Sequence, residues 1–222
     1  GLGEAKSESG CCCTILFILV SVTNYIVEQC PRSHIVDFVE KYHYSKNMNG
    51  LKTSYCFKLM DGDTMIGAMV YGKIGMGGVE QKYTDNPDGL LELKRLVCID
   101  DTPKNTESYF IGWTLRWLQR NTDLEMIISY ADTTYGHEGV VYKATNFKFV
   151  GETQPGRVIM YNGVRYHDKT IRTKHNDEYK PFAVEIRKAL ESGEANYVKT
   201  KAKNTYIYYF KKRKSKLSKW FG

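Results

Sequence analysis

The sequence predicts an α+β domain in which some strands are joined by tight hairpins and others through helices. Three observations carry this. Asp61-Gly62-Asp63 and Asn162-Gly163 each lie between strand-forming runs, as hairpin turns do. Residues 105–120 hold Ile111, Thr114, Leu115 and Leu118 at helical spacing, the stripe of an amphipathic helix. That helix separates two apolar, strand-like runs at 90–99 and 126–132.

Taken in order, residues 24–29 read as a first strand. Pro31-Arg32-Ser33 signals a helix start, and His43-Tyr44-Ser45 closes that helix. Residues 55–60 and 64–73 pair as a hairpin, and 75–89 is a loop broken by glycine and proline. Asn105 is placed to cap the helix that follows strand 90–99. Residues 126–152 read as strand, polar turn, short helix over 137–145, and a strand stopped by Gly151. In that short helix Val140, Val141 and Ala144 are spaced to face the sheet. A hairpin at 157–161 and 164–167, a basic loop at 169–180, a helix at 181–190 and a strand at 205–210 complete the chain.

The 222 residues suffice for one medium domain with a real core. A formal net charge of +7 favours anionic partners, and seventeen tyrosines and three tryptophans supply rings on which bases could stack. Cys11, Cys12 and Cys13 are contiguous and no C-x-x-C pair occurs, which argues against a structural zinc site and a disulfide framework. The apolar run from Cys11 to Val22 is shorter than the ~20 residues of a membrane span, so no membrane association is expected. Residues 1–21 are expected to be an upstream extension, non-native or disordered. The domain then runs over 22–210 and a basic tail over 211–222, KKRKSKLSK at its start.

The element order resembles that of GNAT-type acyl-CoA transferases. In that fold a central mixed, mostly antiparallel sheet is flanked by helices, and two of its strands splay apart around the cofactor. Tyr142-x-x-x-Asn146-Phe147 resembles the late GNAT helix and its Y-x-x-x-G-F ending, with Asn for Gly. A finer resemblance is to the Mom family of phage DNA-modification proteins. It is carried by His43-Tyr44-Ser45, by Leu93-Lys94-Arg95-Leu96-Val97, by Asn105-Thr106-Glu107-Ser108, and by Ser129-Tyr130-Ala131-Asp132 through Gly136-His137, Gly139, Tyr142 and Ala144-Thr145-Asn146-Phe147. The resemblance implies transfer of a carbamoylmethyl (acetamido-type) group from acetyl-CoA to adenine N6 in DNA, a mark that shields phage DNA from restriction. It also implies action in the cytoplasm of the infected bacterial host. His43, Tyr44, Arg95, Ser108, Asp132 and Tyr142 fall on functional positions. Arg95, Leu96, Val97, Asn105, Thr106, Ser108 and Tyr142 are the implied acetyl-CoA contacts. One departure stands out: the glycine-rich pyrophosphate turn of GNAT proteins is here Asp100-Asp101-Thr102-Pro103-Lys104-Asn105. It lacks glycine, and Asp100, Asp101 and Glu107 repel an anion there.

Each candidate has a competing structural reading. Arg95 sits in an apolar strand, with Lys94 and Leu96 pointing the other way by alternation. It either makes a structural ion pair, with Asp132 as one candidate, or holds a phosphate of CoA or DNA. Ser108 is either a local cap or a hydroxyl facing the acyl group or pyrophosphate. Asp132 either forms an Asx-turn with Thr134 or acts as base for the adenine amine. Tyr142 is either a packed ring or the general acid for the CoA thiolate. His43 is a dipole partner at a helix end, a base or a metal ligand, and His137 is expected on the surface. A carbamoylmethyl product needs an added nitrogen and a redox step. That motivates a metal held by His43 and Asp132, a donor pair that suits iron. Adenine N6 is paired in the duplex, so the base is expected to flip out, with residues 165–174 and the tail on phosphates. The competing functions are an ordinary GNAT acetyltransferase on a small amine or protein and a non-catalytic DNA-binding module.

Overall fold

The computed structural model describes residues 24–211 except 47, 76, 77, 134, 135 and 137. The expectations for residues 1–21, for Thr134, for His137 and for the tail beyond Lys211 lie outside the described residues. Four helices are α1 (Val36–Tyr42), α2 (Thr106–Asn121), α3 (Val140–Ala144) and α4 (Pro181–Ser192). The strands are β1 (Ile26–Cys30), β2 (Tyr55–Asp61), β3 (Thr64–Gly72), β4 (Leu90–Cys98), β5 (Met126–Asp132), β6 (Lys148–Glu152), β7 (Arg157–Tyr161), β8 (Val164–His167), β9 (Lys174–His175), β10 (Glu178–Tyr179), β11 (Asn196–Lys199) and β12 (Lys203–Tyr209). Both hairpins form where the turn residues predicted them. Asn162 and Gly163 take φ of 48° and 74°, the left-handed pair that a two-residue hairpin turn requires.

Seven strands make one α+β sheet in the order β1-β2-β3-β4-β5-β12-β6. Its neighbours are antiparallel except β4 and β5, which run parallel. One face buries Phe57, Tyr71, Leu91, Leu93, Ile127 and Tyr206 against Phe110, Ile111, Leu115 and Leu118 of α2. The predicted stripe Ile111, Thr114, Leu115 and Leu118 is buried. The other face buries Cys56, Ala68, Val70 and Val97 beneath Ile35, Phe38 and Val39, the last two on α1.

The splay is visible in the register. β4 and β5 pair only at Leu90–Met126, Leu91–Ile127 and Glu92–Ile128, and beyond Glu92 the two strands part. On its other side β4 keeps its partner through an irregularity: Tyr71 opposes Leu93 and Val70 opposes Arg95, so Lys94 is an extra, bulged residue. The bulge corrects the expected alternation. Lys94 ion-pairs with Glu92 at 2.9 Å, and Arg95 opposes Val70, whose side chain belongs to the α1-side core. Lys94 and Arg95 therefore share the α1 face, and Leu96 packs on the α2 face.

Three further expectations change. Val140 is 70% exposed and Ala144 is exposed, while Val141 and Tyr142 pack on the core. α3 is barely more than one turn, so where its two ends are anchored sets the buried side, not its apolar spacing. Strand β6 runs through Gly151 to Glu152. Residues 168–180 form a 3-10 turn and the β9–β10 hairpin, and β11 joins β7 and β8 in a second sheet. That sheet has its own core of Ile159, Ile171, Ile186, Ala189 and Ala195. Among the described residues no helix is long and apolar enough to cross a membrane.

Two alanine substitutions test this packing. Ile127→Ala removes a fully buried side chain of the main core and is expected to cost about 2–5 kcal/mol in chemical denaturation. Val140→Ala, on the exposed side of α3, is expected to stay within about 0.5 kcal/mol of the parent.

Candidate active site at the strand splay

The site is built from the parted ends of β4 and β5. Ser129 is the first β5 residue past the last β4 pair, and its hydroxyl points to the Leu93 carbonyl across the gap at 3.5 Å. Tyr142 stands over the same gap from α3, and Ser129 hydrogen-bonds its hydroxyl. The ring is clamped between Phe147 and Tyr206, each at 5.5 Å.

Local backbone geometry fixes this tyrosine. Gly139 caps α3 with φ of 74°. A Cβ at Gly139 would lie 2.4 Å from the Tyr206 ring, so only glycine permits the approach. The Tyr206 hydroxyl in turn donates to the Glu138 carbonyl at 2.9 Å. At the other end Asn146 takes φ of 64°, the left-handed conformation for which glycine is the usual residue and asparagine the common substitute. The exchange of Asn for Gly in the Y-x-x-x-N-F ending thus preserves the backbone.

Burial pushes the Tyr142 phenol up to about 12; the Ser129 bond opposes this, while Tyr44, Glu107 and Glu92 reinforce it. The oxygen therefore carries its proton throughout the neutral range. Arg95 has its pKa lowered by burial, while Tyr44 and Glu92 raise it. Tyr44, Glu92, Arg95, Glu107 and Tyr142 thus form one electrostatic neighbourhood drawn from α1's end, β4, α2's first turn and α3. His43 is buried just past α1. Its Nδ1 accepts from the Ser45 amide at 3.1 Å and meets Ser45 Oγ at 2.8 Å. Its ring stacks on Tyr44 at 4.2 Å.

The remaining candidates sort differently. Asp132 is buried and ion-paired with Lys203 Nζ at 3.1 Å. By strand alternation it lies on the face opposite Ser129 and Ala131, hence opposite Tyr142. Asn105 holds the N-cap position with φ of 74° and makes no side-chain cap bond, contrary to expectation. Its carbonyl instead accepts from the Ser108 hydroxyl at 2.9 Å, so Ser108 makes the local bond. Thr106 is buried, with its hydroxyl on the Pro103 carbonyl at 2.7 Å. Leu96 and Val97 pack into the two cores. Asn105's left-handed backbone shapes the turn into α2.

Ser129 enters the sequence reading only as part of the Ser129-Tyr130-Ala131-Asp132 motif, with no role of its own, and Glu92 and Lys203 do not enter it. A polar residue within an apolar strand is a usable signal for Ser129 and Glu92. Lys203 carries none, because it opposes Asp132 only through the β5–β12 register.

The donor set for iron is not assembled: among the described residues no three His, Cys, Asp or Glu come together as a metal group. Asp132, the carboxylate of the expected pair, is charge-matched by Lys203.

The profile of the Mom protein family matches residues 24–220. This chain belongs to the Mom family. It is 30% identical over 138 residues to the protein named methylcarbamoylase mom of Escherichia phage Mu, over 60% of this chain and 56% of that protein. The chain thus spans little more than half the length of that relative. Among solved structures, a Bacillus subtilis acetyltransferase in complex with CoA covers 85% of this chain and 99% of its own at 10% identity and a TM-score of 0.47. The ribosomal-protein-S18-alanine N-acetyltransferase of Escherichia coli covers 86% and 97% at 7% identity and a TM-score of 0.48.

A raised phenol pKa stabilises the fold in full below the ordinary value of 10.0, and that contribution is lost as pH climbs through about 12. The stability difference between the parent and Tyr142→Phe is therefore expected to shift against the parent between those values, measured by denaturation at stepped alkaline pH. Gly139→Ala is expected to lower activity at least about tenfold by displacing α3, with a smaller loss in the melting temperature.

Proposed function

We propose that this protein modifies adenine N6 in phage DNA with a carbamoylmethyl group derived from acetyl-CoA, and so protects that DNA from host restriction in the infected cell. The observation that carries the reading is a proton-bearing tyrosine over a strand splay in a chain of the Mom family.

The parted strands fit an extended, amide-bearing ligand arm. From Leu93 on β4 and Ser129 on β5 the facing edges no longer pair with each other. Residues Arg95, Leu96 and Val97 of β4, with Asn105, Thr106 and Ser108 at the start of α2, would hold the acetyl-CoA, and Arg95 supplies a cation for a phosphate. Asp100, Asp101 and Glu107 leave the helix start itself a poor anion site. The bound cofactor would supply the two-carbon unit; joining its methyl carbon to N6 and turning its carbonyl into the amide also consumes ammonia and a two-electron oxidant and releases CoA.

This chain's residues handle the protons. Tyr142 Oη keeps its proton at neutral pH and is suited to deliver it to a thiolate. Asp132, ion-paired with Lys203, is suited to take the proton of an adenine amine, whose lone pair is delocalised into the ring. Asp132 and Tyr142 approach the splay from opposite faces, so acceptor and donor would enter from opposite sides.

Nucleoside mass spectrometry of DNA from cells expressing the chain tests this. A carbamoylmethyl-adenine peak is expected. Its absence together with acetyl-CoA turnover on other amines would favour an ordinary acetyltransferase. Tyr142→Phe and Asp132→Asn are each expected to lower the mark about 10²-fold or more with the fold retained by circular dichroism. Persistence of the mark in either variant removes that residue's role.

A further inference from the structure

The seven-stranded sheet carries an outgrowth that the chemistry above does not use. β6 and β12 pair at Glu152–Asn204, and β7 and β11 resume the ladder at Arg157–Lys199, five residues on along one strand and five back along the other. The register is therefore unbroken. Between the ladders, the Thr153 amide donates to the Lys203 carbonyl and the Thr200 amide to the Gly156 carbonyl, each at 2.9 Å. One two-stranded ribbon thus runs out of the main sheet and carries β8, the β9–β10 hairpin and α4 at its far end. It leaves beside Asp132, which opposes Lys203 at the splayed end of β5. The ten residues from Glu152 to Tyr161 reach about 30 Å in nine steps of ~3.3 Å, roughly the length of eight or nine base pairs.

The charge of the described chain is segregated into this outgrowth. Residues 154–202 hold ten Lys and Arg against six Asp and Glu; the other described residues hold sixteen against seventeen. All ten of these cations are exposed. Helix α4 and the turn after it, residues 181–195, hold only two of the ten but three of the six acids. The excess therefore lies on the sheet and hairpin, eight cations against three acids. Several are pre-ordered: Arg157 lies over the Tyr197 ring at 4.2 Å and Lys174 over Tyr179 at 5.3 Å. The rest of the described chain, taken together, carries no net positive charge with which to hold a polyanion.

The geometry points to the 154–202 outgrowth as a docking arm for the phosphate backbone of duplex DNA flanking the target base. The partner follows from charge complementarity, from the arm's reach and from its root beside the cleft. The inference rests on the DNA-modification reading and deepens it by separating the residues that hold the duplex from those that act on the base. The arm's contacts are sequence-neutral, because lysine and arginine on phosphates carry no base information.

Fluorescence anisotropy with the full chain and a labelled duplex of about 20 base pairs tests it across a salt series. The combined variant Lys169→Ala, Lys199→Ala, Lys201→Ala is compared with a charge-matched control on the main sheet's surroundings, Lys52→Ala, Lys82→Ala, Arg116→Ala. The arm variant is expected to bind at least about tenfold more weakly near 0.1 M salt. Its log–log salt slope should be shallower by about 2–3, at ~0.9 per lost phosphate contact. The control is expected to stay within about twofold of the parent. Equal weakening of both variants, or a parent that binds while the arm variant is unaffected, overturns the arm and leaves the DNA reading standing. A parent that binds no duplex at all overturns both.

Discussion

Everything at the candidate site depends on β4 and β5 parting after three paired residues. A parallel pair that stayed zipped to Asp132 would satisfy every backbone group and leave no cleft. Two features keep it open. The extra residue at Lys94 twists β4 away while it stays bonded to β3. Tyr142 and Ser129 occupy the near edge of the gap from above, with the Ser129 hydroxyl turned to the Leu93 carbonyl. The outer strands are anchored by full ladders, β2–β3 on one side and β5–β12 on the other. The opening is therefore an internal feature of a firm sheet and not a frayed edge.

Burial then sets the chemistry of what lines the gap. The same desolvation raises the Tyr142 phenol and lowers the Arg95 guanidinium; the negative neighbours Tyr44 and Glu92 reinforce the first shift and oppose the second. Tyr130, on the other face, is raised by burial first and then by Tyr83 and Glu92. Glu92 recurs in all three environments because it is the last β4 residue before the strands part. Lys94 pairs with it, which limits how much uncompensated negative charge the apex carries. On the same face Lys203 does the same for Asp132. The sheet itself thus separates the buried Tyr142 phenol on one face from the Lys203-paired Asp132 carboxylate on the other.

The outgrowth shows how a polyanion-facing surface can be added without disturbing this balance. Because β7 and β11 continue the β6–β12 register, the ribbon needs no new junction, and its second sheet finds its own small core under α4. Its cations stand well away from the buried tyrosine and arginine, where added positive charge would lower the phenol's pKa and oppose the arginine's protonation.

Much of the fold was legible because its signals are local. The Asp61-Gly62-Asp63 and Asn162-Gly163 hairpins follow from turn chemistry, and α2 follows from a stripe at helical spacing over about two turns. The pattern Tyr142 to Phe147 located α3, and Asn146 could stand for glycine because both accept the left-handed backbone. Where local signals are short or absent, the reading failed: the side α3 buries, the polar strand β11, and Asn105, whose backbone rather than side chain shapes the start of α2. The sequence alone determined the strands and helices of the main sheet and that Arg95, Asp132 and Tyr142 merited attention. Only the tertiary structure decided that Lys94 is bulged so that Arg95 shares its face, that Asp132 meets Lys203, and that Ser129 meets Tyr142. Those pairings join residues up to some seventy positions apart through strand register, and register is settled by how whole strands pack, which no local pattern encodes.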